Sequence, residues 1–320
     1  MNWPVTGLED DMRPRMFALA RDARPFALAT IVAADGGPRP VGAQMVIAEE
    51  GQWGFLSGGC IEDDVALHAR AVIAGGEARH LVYGRGSPFI DMRLPCGGRI
   101  EVLVERVLPD DPALTELERL ATERTPALWR SDGTLRSCRL ATEMATTTGE
   151  EPADIAGGHA RLFLPPQRLI VTGSDPFALA IAALGRQMGW DVLLAAPGGP
   201  AAPAPFDLDC DRRPLPTVIE QAGLDRWTAL ALATHDVELD HGVLAAALRS
   251  EAHYVGALGS RTRLSDRLDL LREAGVPEDR IARLRAPIGL DLGARSPWEI
   301  GIAVVAEIIA DAAANRMPGG

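Results

Sequence analysis

The chain has 320 residues, 47% of them hydrophobic and 24% charged, enough for about two globular domains. Its net charge of −12 repels phosphate backbones, so nucleic acid is not an expected partner. No apolar run reaches the ~20 residues that span a bilayer, and Met1 to Asp11 carries acids but no basic n-region, so a cytoplasmic protein with its four cysteines reduced is expected.

In chain order, Leu8 to Arg21 reads as a helix that breaks at Ala23-Arg24-Pro25. The apolar, β-branched run Phe26 to Ala33 predicts a strand, and Ala34 to Pro40 a loop with Arg39 between two prolines. Gln44 to Ala48 and Trp53 to Leu56 predict a hairpin around Glu49-Glu50-Gly51. Ile61 to Ala74 has the periodicity of an amphipathic helix and ends at Gly75-Gly76. Arg79 to Tyr83 and Arg99 to Val104 are two further strands, separated by a long loop with Arg85, Asp91, Arg93 and Cys96. After a helix around Leu114 to Thr122, short strands are expected near Ala127 to Trp129 and Arg136 to Leu140. The polar stretch Thr146 to Gly158 then leads to Pro165-Pro166.

From Gln167 the pattern changes. Strands at Arg168 to Thr172, Asp191 to Ala195, Ala229 to Ala233 and His253 to Ala257 alternate with helices, which predicts a parallel sheet with crossover helices, a Rossmann-like domain. The last helix opens on a capping box, Ser296-Pro297 with Glu299. The expected division is residues 1–108 as an α/β domain, 109–166 as an appendage and linker, and 167–320 as the Rossmann-like domain.

Two glycine turns carry thiols in mirrored order, Ser57-Gly58-Gly59-Cys60 and Cys96-Gly97-Gly98. Glycine lets backbone bend and come close to a ligand. Cys60 precedes a helix whose positive end favours a thiolate, while Glu62, Asp63 and Asp64 oppose it. Read alone, Cys60 is either a reactive thiol or a small buried residue at a turn. Without CxxC or HxxxH pairs, structural zinc is not expected, and Cys138 and Cys210 sit in no motif. Arg39, Arg85, Arg93 and Arg99 are expected to converge as an anion site, guanidinium forks matching phosphate oxygens.

The Rossmann turn reads Gly173-Ser174-Asp175-Pro176-Phe177-Ala178, so Asp175 replaces the middle glycine of the dinucleotide fingerprint. The second strand ends in Ala195-Ala196-Pro197 without an acid for the ribose. NAD(P) is therefore not the expected cofactor. Thr234-His235-Asp236 follows the third strand of this domain, where a His-Asp pair suits acid–base work or a satisfied loop histidine. Two alternatives stay open: an NAD(P)-dependent oxidoreductase using His235, and a scaffold that touches no cofactor.

The chain resembles the XdhC/CoxI family of accessory proteins for molybdenum hydroxylases such as xanthine dehydrogenase. The resemblance rests on Pro38-Arg39-Pro40-Val41-Gly42-Ala43, Ser57 to Glu62 and Cys96 to Val102. It continues in Thr234-His235-Asp236, Gly256 to Arg261 and Pro287 to Ala294. It implies a chaperone that binds molybdenum cofactor, as molybdopterin or its cytosine dinucleotide, protects it during sulfuration and delivers it to the apo-hydroxylase. A cysteine desulfurase is the implied sulfur donor, and a homodimer is expected. The residues implied at the cofactor are Arg39, Ser57, Gly58, Gly59, Cys60, Glu62, Cys96, Gly97, Gly98, His235, Asp236, Gly259, Ser260, Arg261 and Asp291, with Cys60 facing the metal or relaying sulfur.

Overall fold

The computed structural model describes residues 8–37, 39–85, 87, 94, 97–141, 158–234, 237–259 and 261–315, the side chains of 237–240, 261–263 and 315 excepted. The chain divides into two compact units between Pro165 and Pro166.

The first unit begins with α1 (Arg13–Arg21), β1 (Phe26–Asp35), β2 (Gln44–Ala48), β3 (Gly51–Gly54) and α2 (Glu62–Gly75). It continues through β4 (Arg79–Gly84), β5 (Arg99–Val107), α3 (Pro112–Thr122), β6 (Ala127–Ser131), β7 (Arg136–Leu140) and β8 (His159–Phe163). Five strands form an antiparallel sheet in the order β3-β2-β1-β5-β4. From Phe26 to Ile31 β1 is buried, and apolar except for Thr30, because both of its faces are covered there. Ala27, Ala29 and Ile31 point toward α2, where they meet Val65, Ala69 and Val72. Phe26 and Leu28 point the other way, toward Met16 of α1, Leu117 of α3 and Trp129 of β6. Residues after Val107 thus form the layer that covers the sheet's second face, with β7-β6-β8 as its own small antiparallel sheet. α2 stops at Gly76, whose φ of +80° is a conformation glycine adopts readily.

The second unit contains β9 (Arg168–Thr172), α4 (Pro176–Gln187), β10 (Asp191–Ala195), β11 (Cys210–Asp211), α5 (Leu215–Ala222) and β12 (Thr228–Leu232). α6 (Val237–Arg249), β13 (Tyr254–Ala257), α7 (Arg261–Glu273), α8 (Glu278–Ile281), β14 (Leu284–Arg285) and α9 (Pro297–Asn315) follow. The sheet is parallel, in the order β11-β10-β9-β12-β13-β14. Counted from β9 this is 3-2-1-4-5-6, the doubly wound order of a Rossmann domain, with its switch point between β9 and β12. The expected capping box of α9 forms: Glu299 accepts from the Arg295 and Ser296 amides, and the Glu299 amide donates to Ser296 Oγ. No helix among the described residues is long and apolar enough to cross a membrane.

Candidate functional site

Strand register gathers three loops at one end of the first sheet. Thr30 pairs with Gln44, Met45 with Gly54, and Asp35 and Gly84 both with Arg99. Loops 36–43, 55–61 and 85–98 therefore leave the sheet side by side. Glycines make this crowding possible. A Cβ on Gly98 would lie 2.3 Å from the Gly36 carbonyl oxygen, and one on Gly84 would lie 2.0 Å from that of Gly98.

Loop 55–61 is organised by the first residue of α2. Glu62 is 2% exposed. Its Oε1 accepts from the amides of Leu56 (2.9 Å), Ser57 (2.7 Å) and Gly58 (3.0 Å). Its Oε2 accepts from the amides of Gly59 (2.8 Å) and Ile61 (3.1 Å) and from Ser57 Oγ (2.7 Å). Burial raises the carboxyl's pKa, but the Ser57 and Leu56 donors outweigh it and hold the group below the ordinary glutamate range. Ser57 Oγ also accepts from the amides of Cys60 (3.0 Å) and Ile61 (3.3 Å). Such a ring of amides is an anion nest, here filled by the chain's own carboxylate. The two other acids of the turn have separate fates. Asp64 accepts a 2.6 Å hydrogen bond from the Tyr83 hydroxyl, and Asp63 is exposed.

Cys60 emerges from this turn as an exposed free thiol. Gly58 and Gly59 before it have φ of +93° and +110°, which other residues rarely adopt. Added Cβ atoms on Gly58 and Gly97 would meet nothing within 4 Å, so space is open at both turns. Cys96 lies outside the described residues, as do Asp91 and Arg93. Glu62, grouped by sequence with the cofactor-facing residues, has its carboxylate turned inward on the loop itself.

The arginines sort differently from the convergence expected in the sequence. Arg85 pairs with Asp35. Arg99 pairs with Glu101 at 2.6 Å and donates to the Arg85 carbonyl at 3.0 Å. Both already have carboxylates. Arg39 lies over the Phe55 ring at 4.3 Å and pairs with Asp10. Sequence reading missed a neighbour of Arg39's loop: Arg161 of β8, whose Nη1 donates to the Gly42 carbonyl. It also missed the core triad in which Arg136 bridges fully buried Glu105 (2.5 Å) and Asp111.

In the second unit, Gly173 has φ of +117° and sits at the switch point, where an added Cβ would come within 3.3 Å of the Ala233 carbonyl oxygen. Asp175 caps α4 and accepts from the amides of Phe177 (3.0 Å) and Ala178 (2.8 Å). The amides that would cradle a pyrophosphate are thus already bonded. His235, Asp236 and Ser260 lie outside the described residues, as does the Arg261 side chain. Gly259 and Asp291 are exposed. The loop bearing Asp291 is tied down by Glu307, which accepts from Tyr254 Oη (2.5 Å) and the Gly289 amide (2.8 Å). No three His, Cys, Asp or Glu side chains among the described residues cluster to hold a metal ion.

Fold and loops together define a two-unit α/β protein: an antiparallel unit that presents a thiol on a glycine turn, followed by a Rossmann unit. Residues 19–84 match the XdhC and CoxI family, and residues 169–308 match the XdhC Rossmann domain. The chain belongs to the XdhC and CoxI family, as the sequence motifs implied. It is 34% identical over 283 residues to the molybdenum cofactor insertion chaperone PaoD of Escherichia coli (strain K12), a match covering 88% of this chain and 81% of that one. Over 321 residues it is 27% identical to a probable xanthine dehydrogenase subunit of Bacillus subtilis (strain 168), covering 91% and 94% of the two. A solved structure from Bacillus halodurans, described as a xanthine dehydrogenase, shares the fold with a TM-score of 0.73 at 22% identity, over 96% of this chain and 97% of that one.

Proposed function

We propose that this chain is a molybdenum-cofactor chaperone for a molybdenum hydroxylase such as xanthine dehydrogenase. The observation that carries the reading is Cys60: an exposed thiol on a glycine turn whose backbone is fixed from behind by buried Glu62. Thiolate is a soft ligand suited to molybdenum or to sulfur handling. The open space at Gly58 and Gly97 leaves room for a planar guest, and half-buried Arg39 supplies a cation for its anionic tail. No preassembled ligand cluster is needed, because the metal arrives already held by its pterin. The 34% identity to a cofactor insertion chaperone supports the same role.

In this reading Cys60 faces the metal or relays sulfur, and Cys96, Gly97 and Gly98 take part in binding the cofactor. Ser57, Gly58 and Gly59 form the wall, and Glu62 holds that wall without touching the guest. His235, Asp236, Gly259, Ser260, Arg261 and Asp291 of the Rossmann unit keep the cofactor-binding role that the family resemblance implies for them. A cysteine desulfurase supplies the sulfur, the apo-hydroxylase receives the product, and the chaperone is a homodimer. The test is mass analysis of pterin released from protein co-expressed with the cofactor-synthesis machinery. Wild type and Cys138→Ala should retain pterin, as molybdopterin or its cytosine dinucleotide, and Cys60→Ala should lose most of it. Equal retention in the two variants would remove the thiol role, and no pterin in the wild type would remove the chaperone.

A further inference from the structure

Arg161 is, among the described residues, a guanidinium without a counter-ion. Among the described residues no carboxylate pairs with it, and its hydrogen bond goes to the Gly42 carbonyl. Its charge centre lies 4.5 Å from the centroid of the Phe163 ring. The side chain is half-buried, and this desolvation lowers its pKa to about 10. Asp11 and Asp10 draw the value back up, but they are already held by Arg13 and Arg39, which push it down. A desolvated cation left unpaired disfavours the folded state, so the position makes physical sense when an anion completes it.

Arg39 adds a second incomplete donor. Its Nε is buried without a hydrogen-bond partner among the described residues. Its Nη2 is engaged by Asp10, whose side chain is 70% exposed, and an exposed pair of this kind is weak enough for a ligand anion to displace. The two arginines share one loop: Arg39 stands on it, and Arg161 grips it at Gly42. Arg39 also reaches Phe55, two residues before Ser57, so it lies beside the loop that carries Cys60.

We infer that Arg39 and Arg161 form a seat for a phosphate or pyrophosphate group, and that the seat takes the anionic tail of the cargo beside the thiol. The second half rests on the chaperone reading. Two forked donors match the geometry of phosphate oxygens, and the local positive charge opposes the acidic surface that would otherwise repel such a group.

Thermal unfolding of the full chain with sodium pyrophosphate, against chloride at matched ionic strength, tests the seat. The midpoint of the wild type should rise by about 2–4 °C near saturation. Arg39→Gln and Arg161→Gln should each lose at least about half of that rise, while Arg85→Gln, whose residue already pairs with Asp35, should keep it. Should Arg161→Gln fail to fold, Arg161→Lys replaces it and should also respond weakly, because an ammonium cannot fork onto two oxygens. No rise in the wild type, or an undiminished rise in the Arg39 and Arg161 variants, overturns the seat. Pterin retention after co-expression tests the tail: Arg161→Gln should retain roughly tenfold less than wild type, equivalent to one lost charge-assisted contact. A pyrophosphate response with equal retention leaves a seat for free phosphate and overturns the tail assignment. If the wild type retains no pterin, the chaperone reading and the tail fall together, and the pyrophosphate arm still decides the seat.

Discussion

Two turns in this protein meet the same physical problem and solve it differently. Each leads from glycine-bearing backbone into a helix, and each gathers amides whose dipoles call for an anion. At α4 the answer is Asp175, which satisfies two amides from the N-cap and ends the matter. At α2 the answer is Glu62, one residue further in, whose longer side chain folds back to collect five amides and a hydroxyl. The first arrangement finishes a helix. The second builds a loop, and the loop's outer surface carries an exposed thiol. A carboxylate at a helix start therefore does not by itself close a site. What matters is whether the amides it consumes are those a ligand needs, or those that hold the ligand's wall in place.

The comparison breaks most sharply at Glu62. Glu62→Ala should cost about 3–5 kcal/mol, since it strands several donors at once, two of them the amides of buried Leu56 and Ile61. Glu62→Gln keeps one acceptor oxygen and should cost about 1–3 kcal/mol, read as a shift in urea midpoint. Both should lower pterin retention although Glu62 does not face the guest. Full retention by a folded Glu62→Ala variant would show that the wall does not depend on it.

The pH dependence sharpens the same point. The folded Glu62 carboxyl titrates below its ordinary value of about 4.3, so its contribution is complete above that value and disappears as pH falls through the folded value. The stability gap between wild type and Glu62→Gln should therefore be flat from neutral pH down to about 5 and shrink in more acid solution. A gap that persists unchanged at about pH 3 would mean that hydrogen bonds to the carboxylate are not what the substitution removes.

Thiol chemistry gives a smaller effect on stability and a large one on function. Cys60→Ala removes an exposed side chain and should move stability by less than about 0.5 kcal/mol. Burial pushes the Cys138 thiol up to about 12. Iodoacetamide in native conditions should accordingly label Cys60 and leave Cys138 unmodified, checked by peptide mass mapping. Labelling of Cys138 ahead of Cys60 would contradict the exposure on which the reading rests.

Much of the fold was legible because its signals are local. β2, β7, β9 and β10 fall on the runs read as strands, with glycine and proline near their ends and, in β2, β9 and β10, β-branched residues within them. The parallel Rossmann-like sheet follows from alternating strands and helices, but its strand order does not, since other doubly wound orders share that alternation and handedness. β8 escaped because His159-Ala-Arg-Leu-Phe163 is short, carries an arginine at its centre and is preceded by polar residues, and its partner β6 lies about thirty residues earlier. The site divides along the same line. The glycine turns and Cys60 could be found from the local motif Ser57-Gly58-Gly59-Cys60 and its mirror Cys96-Gly97-Gly98. The inward turn of Glu62 could not, because an acid in a first helical turn reads equally as solvated charge, although Ser57 and several glycinyl amides just upstream were a usable hint. Arg161 was out of reach, since its bond to Gly42 spans 119 residues and leaves no trace in either segment.

A modest effect, on stability alone, tests the other half of the comparison. Asp175→Ala deletes a cap with two amide bonds and should cost about 1 kcal/mol, within the usual span for such caps. The loss should appear in the unfolding of the Rossmann unit, and pterin retention should stay near wild type, because this carboxylate shapes its own helix end and no thiol-bearing loop. The same variant frees two amides at the sheet's switch point, so it is also the place to titrate NADH. If Asp175 is the element that denies a pyrophosphate its seat, Asp175→Gly should bind NADH measurably better than wild type, with saturable quenching of protein fluorescence. If neither protein responds, the missing acid after β10 (Ala196 stands at that position) is a second barrier, and the helix end alone does not decide what the Rossmann unit accepts.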